Sequence, residues 1–137
     1  MSTTLAGGCL CGAIRYTISV PVTELRACHC AHCQKASGAA GSVNAVIPSS
    51  AFKITHGTPK RYDAKADSGR TLHRYFCGDC GSPIYSQRPT TPDTVVVRAG
   101  LFDNAGEMKV TANIWTQRAR PWAYIDPASK QIPGQPG

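Results

Sequence analysis

The chain has 137 residues, 42% of them hydrophobic and 17% charged, with a formal net charge of +7. That balance supports one folded domain burying about two thirds of its unfolded surface and excludes a disordered chain. No stretch reaches the ~18 apolar residues of a membrane span, and Met1–Gly8 lacks the charge and apolar run of a signal peptide, so a cytoplasmic protein without a membrane partner is expected.

In chain order, the first feature is Gly8-Cys9-Leu10-Cys11-Gly12, followed by Ile14, Tyr16, Ile18 and Val20 alternating with polar residues. This period of two predicts a half-buried strand. Next comes Cys28-His29-Cys30-Ala31-His32-Cys33, with a short helix predicted over Ala31–Ser37 and ended by Gly38. Strands are then predicted at Val43–Ile47, Phe52–Thr55, Leu72–Phe76, Ile84–Ser86, Thr94–Arg98 and Val110–Thr116. Turn-forming clusters separate them at His56–Pro59, Asp67–Gly69, Gln87–Pro92 and Asp103–Gly106, the last reading as a hairpin loop. The expected fold is mainly β, with antiparallel sheets and little helix. Residues 1–126 form a single zinc-binding domain in this reading. The stretch 127–137, with three prolines and two glycines, is expected to be a mobile tail.

Seven cysteines fall into three clusters, an odd number that fits poorly with complete disulfide pairing. In a reducing compartment such clusters are metal ligands or redox groups. Cys77-Gly78-Asp79-Cys80-Gly81 has the form of a zinc-ribbon half-site, in which a tight turn brings two sulfurs to one ion. A thioredoxin-like redox use of this pair needs a following helix, but a strand is predicted there instead. Cys9 and Cys11 can supply the second half, because residues i and i+2 of a strand face one side. Four thiolates would close a structural site. Cys28, Cys30 and Cys33 would form a second site with three protein ligands and one open position, the pattern of catalytic zinc. A thiol arriving at the open position would lose its proton, and a carbonyl arriving there would be polarised. His29 alternates with its cysteine neighbours and should point away from them, whereas His32 directly precedes Cys33, which makes it an awkward co-ligand. Seven thiolates and two Zn²⁺ ions would bring the formal charge from +7 to +4.

These residues carry a family resemblance. Gly8–Gly12 with Ile14-Arg15-Tyr16, Cys28–Cys33 with Gln34, Lys35, Ser37 and Gly38, and Phe76–Gly81 resemble the glutathione-dependent formaldehyde-activating enzyme family. That family also takes in centromere-protein-V-type zinc domains, and the likeness extends through Phe52–Gly57, Asn113–Trp115 and Trp122. The resemblance implies a β-tent-like fold of small sheets around two Zn²⁺ ions per chain. It implies a structural zinc on Cys9, Cys11, Cys77 and Cys80, and catalytic ligands at Cys28, Cys30 and Cys33. The implied activity joins glutathione to formaldehyde as S-(hydroxymethyl)glutathione, formally a carbon–sulfur lyase reaction between a small thiol and an aldehyde. Lys35, Arg70, Arg74 and Arg88 are candidates to meet the thiol's carboxylates, although each also suits a solvated surface.

The alternative is a zinc-stabilised module that binds protein or nucleic acid without catalysis. Trp115 and Trp122 bracket Arg118 and Arg120, an interleaving that can stack on and neutralise a nucleic-acid strand. The plainer reading, in which the tryptophans close the core and the arginines are solvated, is preferred because no basic run extends the patch.

Overall fold

The structure is a computed structural model and describes residues 5–65, 69–104 and 106–135. It contains two open sheets. β1 (Leu5–Gly8), β2 (Arg15–Ile18) and β5 (Phe52–His56) form an antiparallel sheet of three strands in the order β1-β2-β5. The larger sheet has the order β11-β10-β3-β4-β9-β8-β7-β6. Its members are β3 (Glu24–Cys28), β4 (Ser42–Pro48), β6 (Lys60–Lys65), β7 (Thr71–Phe76), β8 (Pro83–Gln87), β9 (Thr94–Arg98), β10 (Lys109–Ile114) and β11 (Lys130–Gln131). One α-helix, α1 (Ala31–Ser37), follows β3. No helix among the described residues is long and apolar enough to cross a membrane.

The mainly β expectation holds, and the predicted helix has the observed bounds. Gly38 ends α1 in the left-handed region at φ 69°, where glycine carries no side-chain penalty. The larger sheet is not purely antiparallel, because β10 runs parallel to both β3 and β11. Asp103–Gly106 does not close a hairpin: β9 and β10 lie three positions apart, with β4 and β3 between them. Thr94–Arg98 is strand as expected and Val110–Thr116 is strand only as far as Ile114, with Trp115 left-handed and Thr116 opening a 3-10 turn, but pairing is decided by distant partners that local turn chemistry does not reveal. Of the turn expected at Asp67–Gly69, only Gly69 lies within the described residues. The stretch expected to be mobile is docked through its described part. β11 pairs with β10, and the Trp115, Thr116 and Gln117 amides donate to the Gly134, Ile132 and Pro133 carbonyls at 3.2 Å.

The main core lies between the two sheets. Tyr16 and Ile18 of β2 meet Ala45 and Ile47 of β4 and Val95 and Val97 of β9, all buried. Alternation sends the intervening residues of these strands, Asn44 and Val46 of β4 and Val96 and Arg98 of β9, to the opposite face of the large sheet. That face carries the site.

Candidate metal centres and active-site cavity

Two clusters of sulfur emerge from the fold. Cys9, Cys11, Cys77 and Cys80 bring their Sγ atoms within 4.8 Å of one another, as do Cys28, Cys30 and Cys33. None of the seven cysteines is paired in a disulfide.

The four-cysteine cluster is made by two similar turns. The Cys9 amide donates to the Ile14 carbonyl at 3.1 Å and the Cys77 amide to the Ser82 carbonyl at 2.9 Å, so each turn is pinned across its base. Gly12 and Gly81 complete them at φ 80° and 79°, a conformation that costs other residues about 1–2 kcal/mol. Backbone amides then face the sulfurs: Ile14 donates to Cys9 Sγ at 3.2 Å and Asp79 to Cys77 Sγ at 3.4 Å. Cys9 and Cys11 therefore converge through a tight turn beyond the end of β1. They are not side-by-side positions of a strand, contrary to the sequence expectation. Ser82 ties the turns together, accepting from the Leu10 amide at 3.1 Å and contacting Cys80 Sγ at 3.3 Å. The Ser82 hydroxyl and amide hold the Cys80 thiol down at about 5. Sulfurs arranged tetrahedrally at ~2.3 Å from one centre lie ~3.8 Å apart. Here Cys9–Cys11 is 3.7 Å and Cys11–Cys77 is 3.8 Å. The donor set fits a single ion.

The triplet is built where β3 runs into α1. Cys28 is the last residue of β3, Cys30 caps the helix in extended geometry, and the Cys33 amide donates to Cys30 Sγ at 3.3 Å. All three are buried in a small cluster of their own with Ile114, against which Trp115 and Ile132 pack. Three acidic groups this close cannot ionise independently. Hydrogen bonds from Cys28 and Cys30, with further help from the Ser42 hydroxyl and the charge of Arg98, draw the Cys33 thiol far down. The same contacts with Cys30 and Cys33 push Cys28 far up. A chain of hydrogen bonds supports this polarity: Arg98 Nη1 donates to Asn44 Oδ1 at 2.5 Å, and Asn44 Nδ2 donates to Ser42 Oγ at 3.0 Å. Gathering three thiol sulfurs beside a buried cation is a donor arrangement that suits a soft or borderline metal ion.

No histidine joins this cluster among the described residues. His29 turns to the other face of the sheet, where its Nε2 lies 3.2 Å from Asn113 Oδ1. Gln34 of α1 locks the segment. Its Nε2 donates to the His29 and Arg118 carbonyls, each at 2.9 Å, and its Oε1 accepts from Arg120 Nε at 2.7 Å.

The triplet opens into a cavity of about 340 Å³ on the outer face of the large sheet. Strand register arranges its floor in rows. Ile114 and Cys28 make one row, Arg26, Asn44 and Arg98 the next, and Val46, Val96, Ser86 and Arg74 a third. Of the basic residues singled out from the sequence, Arg70, Arg74 and Arg88 line this cavity, and Lys35 does not. Arg26 and Arg98 were not anticipated. The spacing held a signal for Arg26, which stands two residues before Cys28 on one strand and so shares its face. The Trp115–Trp122 segment also departs from expectation. Trp115 is partly buried and donates through Nε1 to Gln135 Oε1 at 3.0 Å, and Arg120 is engaged by Gln34. Trp122, expected to help close the core, is 69% exposed.

Fold and site together define a mainly β protein with two separate thiol clusters fit for metal ions, one sealed by four sulfurs and one open to a cavity. The chain belongs to the glutathione-dependent formaldehyde-activating enzyme family, whose sequence model matches residues 4–118. Proteins named "Putative glutathione-dependent formaldehyde-activating enzyme" are among its relatives. One from Emericella nidulans is 32% identical over 79 residues, covering 58% of this chain and 39% of the relative. One from Penicillium rubens is 32% identical over 91 residues, covering 63% and 47% respectively. The matched stretch is thus less than half the length of these relatives. A crystal structure of a Rhodobacter sphaeroides protein shares the fold, with a TM-score of 0.59 at 20% identity over 72% of this chain and 88% of that one.

Proposed function

We propose that this protein is a zinc-dependent enzyme of the carbon–sulfur lyase type that joins a small thiol, glutathione or a close analogue, to formaldehyde or a related aldehyde in the cytoplasm. The observation that carries the proposal is the opening of a three-cysteine cluster, and not the four-cysteine one, into a cationic cavity. In this reading the chain forms a single domain with two Zn²⁺ ions. Cys9, Cys11, Cys77 and Cys80 hold a structural ion, and Cys28, Cys30 and Cys33 hold the catalytic one. An ion held there would supply Lewis acidity and would favour the thiolate form of an incoming thiol.

The chain's own residues do the remaining work. Arginines of the cavity draw in an anionic thiol and fix its orientation, which supplies proximity. Ile114 and Trp115 add apolar wall to the cavity beside the triplet. The reaction is an addition: the sulfur lone pair forms a bond to the carbonyl carbon, the π pair moves to oxygen, and the proton given up by the thiol ends on that oxygen. Nothing leaves, and no oxidant or reductant is required.

Magnetisation-exchange NMR of formaldehyde, glutathione and S-(hydroxymethyl)glutathione at equilibrium tests the proposal. The zinc-loaded protein should accelerate exchange well above the buffer rate. Cys30→Ser should return it to the buffer rate while leaving the β-sheet circular dichroism in place. Exchange no faster than buffer with the zinc-loaded protein, or unchanged in Cys30→Ser, would defeat the assignment.

A further inference from the structure

A second space adjoins the triplet cavity on the same face of the large sheet. The row made by Val46, Val96, Ser86 and Arg74 runs on across β6, because Tyr62 pairs with Arg74. Leu72, which lines the cavity, pairs in the same way with Ala64. Between these β6 positions and α1 lies a slot of about 500 Å³, within the ~300–1,000 Å³ of small-molecule sites. Small side chains leave the gap open: Ala31 and Ala36 line it from the helix and Ala64 from the strand. Ala31 and Lys35 are one helical turn apart, as are His32 and Ala36, so these four share one side of α1. Cys33 and Gln34, on the other side, are buried. His32 and Arg74 line both spaces, so slot and cavity meet at that pair. Ala31 directly follows Cys30, which sets the inner end of the slot beside the sulfurs.

The two spaces differ in chemistry. Arginines dominate the cavity, whereas alanine methyls and the Tyr62 ring wall the slot. Tyr62 is 64% exposed, a large ring left uncovered beside a helix. An uncovered ring next to methyl-lined space gains most from an apolar, aromatic guest, through area removed from water and ring–ring contact. Thiol–aldehyde addition brings two molecules to the triplet. With the anionic part of the thiol drawn among the arginines, a substituent on the carbonyl carbon has the slot as its remaining space. Formaldehyde carries only hydrogens there and would leave the slot empty.

We propose that the slot between α1 and β6 is a subsite for the side chain of the aldehyde, and that the protein takes aldehydes with an apolar, aromatic substituent, such as arylacetaldehydes. This rests on the triplet being the site of thiol–aldehyde addition. The thiol sulfur bonds to the aldehyde carbon, the π pair moves to oxygen, and the thiol proton ends on that oxygen. The product is a hemithioacetal, with no leaving group, oxidant or reductant. The substituent takes no part in these bond changes, and its binding in the slot orients the carbonyl.

Two measurements on the zinc-loaded protein test the slot. First, 2-phenylethanol, an alcohol that cannot add a thiol, should show nuclear Overhauser contacts to the methyl groups of Ala31, Ala36 and Ala64. Ala36→Phe, which fills the slot, should remove them. Second, magnetisation-exchange NMR should find glutathione addition to both formaldehyde and phenylacetaldehyde faster than in buffer. Tyr62→Ala should lower the phenylacetaldehyde acceleration roughly threefold to tenfold more than the formaldehyde one, the scale of one aromatic pair. Ala36→Phe should do so more strongly. Ala36 and Tyr62 are both exposed, so neither change disturbs the core. Acceleration with formaldehyde but not with phenylacetaldehyde overturns the proposal and leaves the thiol–aldehyde reading standing, as does an equal effect of Ala36→Phe on both aldehydes. Contacts from the methylenes of glutathione to the three alanines also overturn it, because the thiol would then occupy the slot. Alanine contacts to 2-phenylethanol in a protein that accelerates neither addition uphold the slot as an apolar subsite and defeat the thiol–aldehyde reading instead.

Discussion

Gly41 shows how closely single residues control the triplet. It stands between α1 and β4, and a Cβ built there would lie 2.1 Å from the Cys28 carbonyl oxygen and 3.1 Å from its carbon. Neither can move freely, because Cys28 is paired with Ser42 on β4 and with Ile114 on β10. Gly41→Ala therefore forces the β3 end apart from β4 without touching a ligand. A cost of about 1–3 kcal/mol is expected, the scale of overpacking a close contact. The triplet should lose its ion while the four-cysteine cluster, which shares no contact with Gly41, keeps its own. Elemental analysis should find one zinc per chain, against the two expected for the unaltered protein if each of its two clusters holds an ion as proposed. Gly12→Ala provides the contrast: its Cβ meets nothing within 4 Å, so only the strain of φ 80° remains. Two zincs in Gly41→Ala would mean that the triplet tolerates displacement of its strand.

At the level of elements, α1 is a seven-residue helix too short to be stable alone, so tertiary contacts must hold it. Gln34 makes the polar ones, joining the helix to the His29 carbonyl between two cysteines and to the Arg118–Arg120 segment. Gln34→Ala would leave the buried His29 carbonyl without that donor. A loss of about 1–3 kcal/mol is expected in urea denaturation, with weaker retention of triplet zinc against a competing chelator. An unchanged midpoint would show that water replaces the amide without cost. The helix itself was legible because its determinants are local: an extended cysteine at its start and Gly38 at its end. β2 was legible for the same reason, through alternation, and β4 and β9 as short segments set between turn clusters. What could not be read was pairing. The parallel run of β10 beside β3 joins residues some 85 positions apart, and β11 has only two residues, both exposed, and therefore no pattern of its own. The sulfurs of the two sites were legible from spacing, whereas their polar surroundings depend on Asn44, Ser42 and Arg98. These residues become neighbours only through sheet register.

The whole molecule separates its two clusters energetically. Cys9 and Cys77 belong to the same buried cluster as Ile18, Ile84 and Val97, and their turns meet through Cys11 and Cys77, 66 residues apart. The triplet sits in a second cluster whose buried members are the three cysteines and Ile114. Structural zinc on thiolates contributes about 10–16 kcal/mol, comparable with or greater than the ~5–15 kcal/mol by which a domain is stable. Removing the ion from the four-cysteine site should therefore unfold the chain, since that site fastens β1 and β2 to β7 and β8 across the main core. Removing the triplet's ion exposes a small cluster already bordered by a cavity, and the two sheets remain packed. A colorimetric chelator should accordingly extract zinc in two phases. In the first, one ion per chain leaves with the far-ultraviolet circular dichroism preserved. In the second, the remaining ion leaves at the rate at which the β signal disappears. Ordinary unfolding limits only the second phase, so urea below the midpoint should accelerate it and leave the first nearly unchanged. Release of both ions in one step, together with loss of the β signal, would show that the clusters share one cooperative unit in spite of their separate cores.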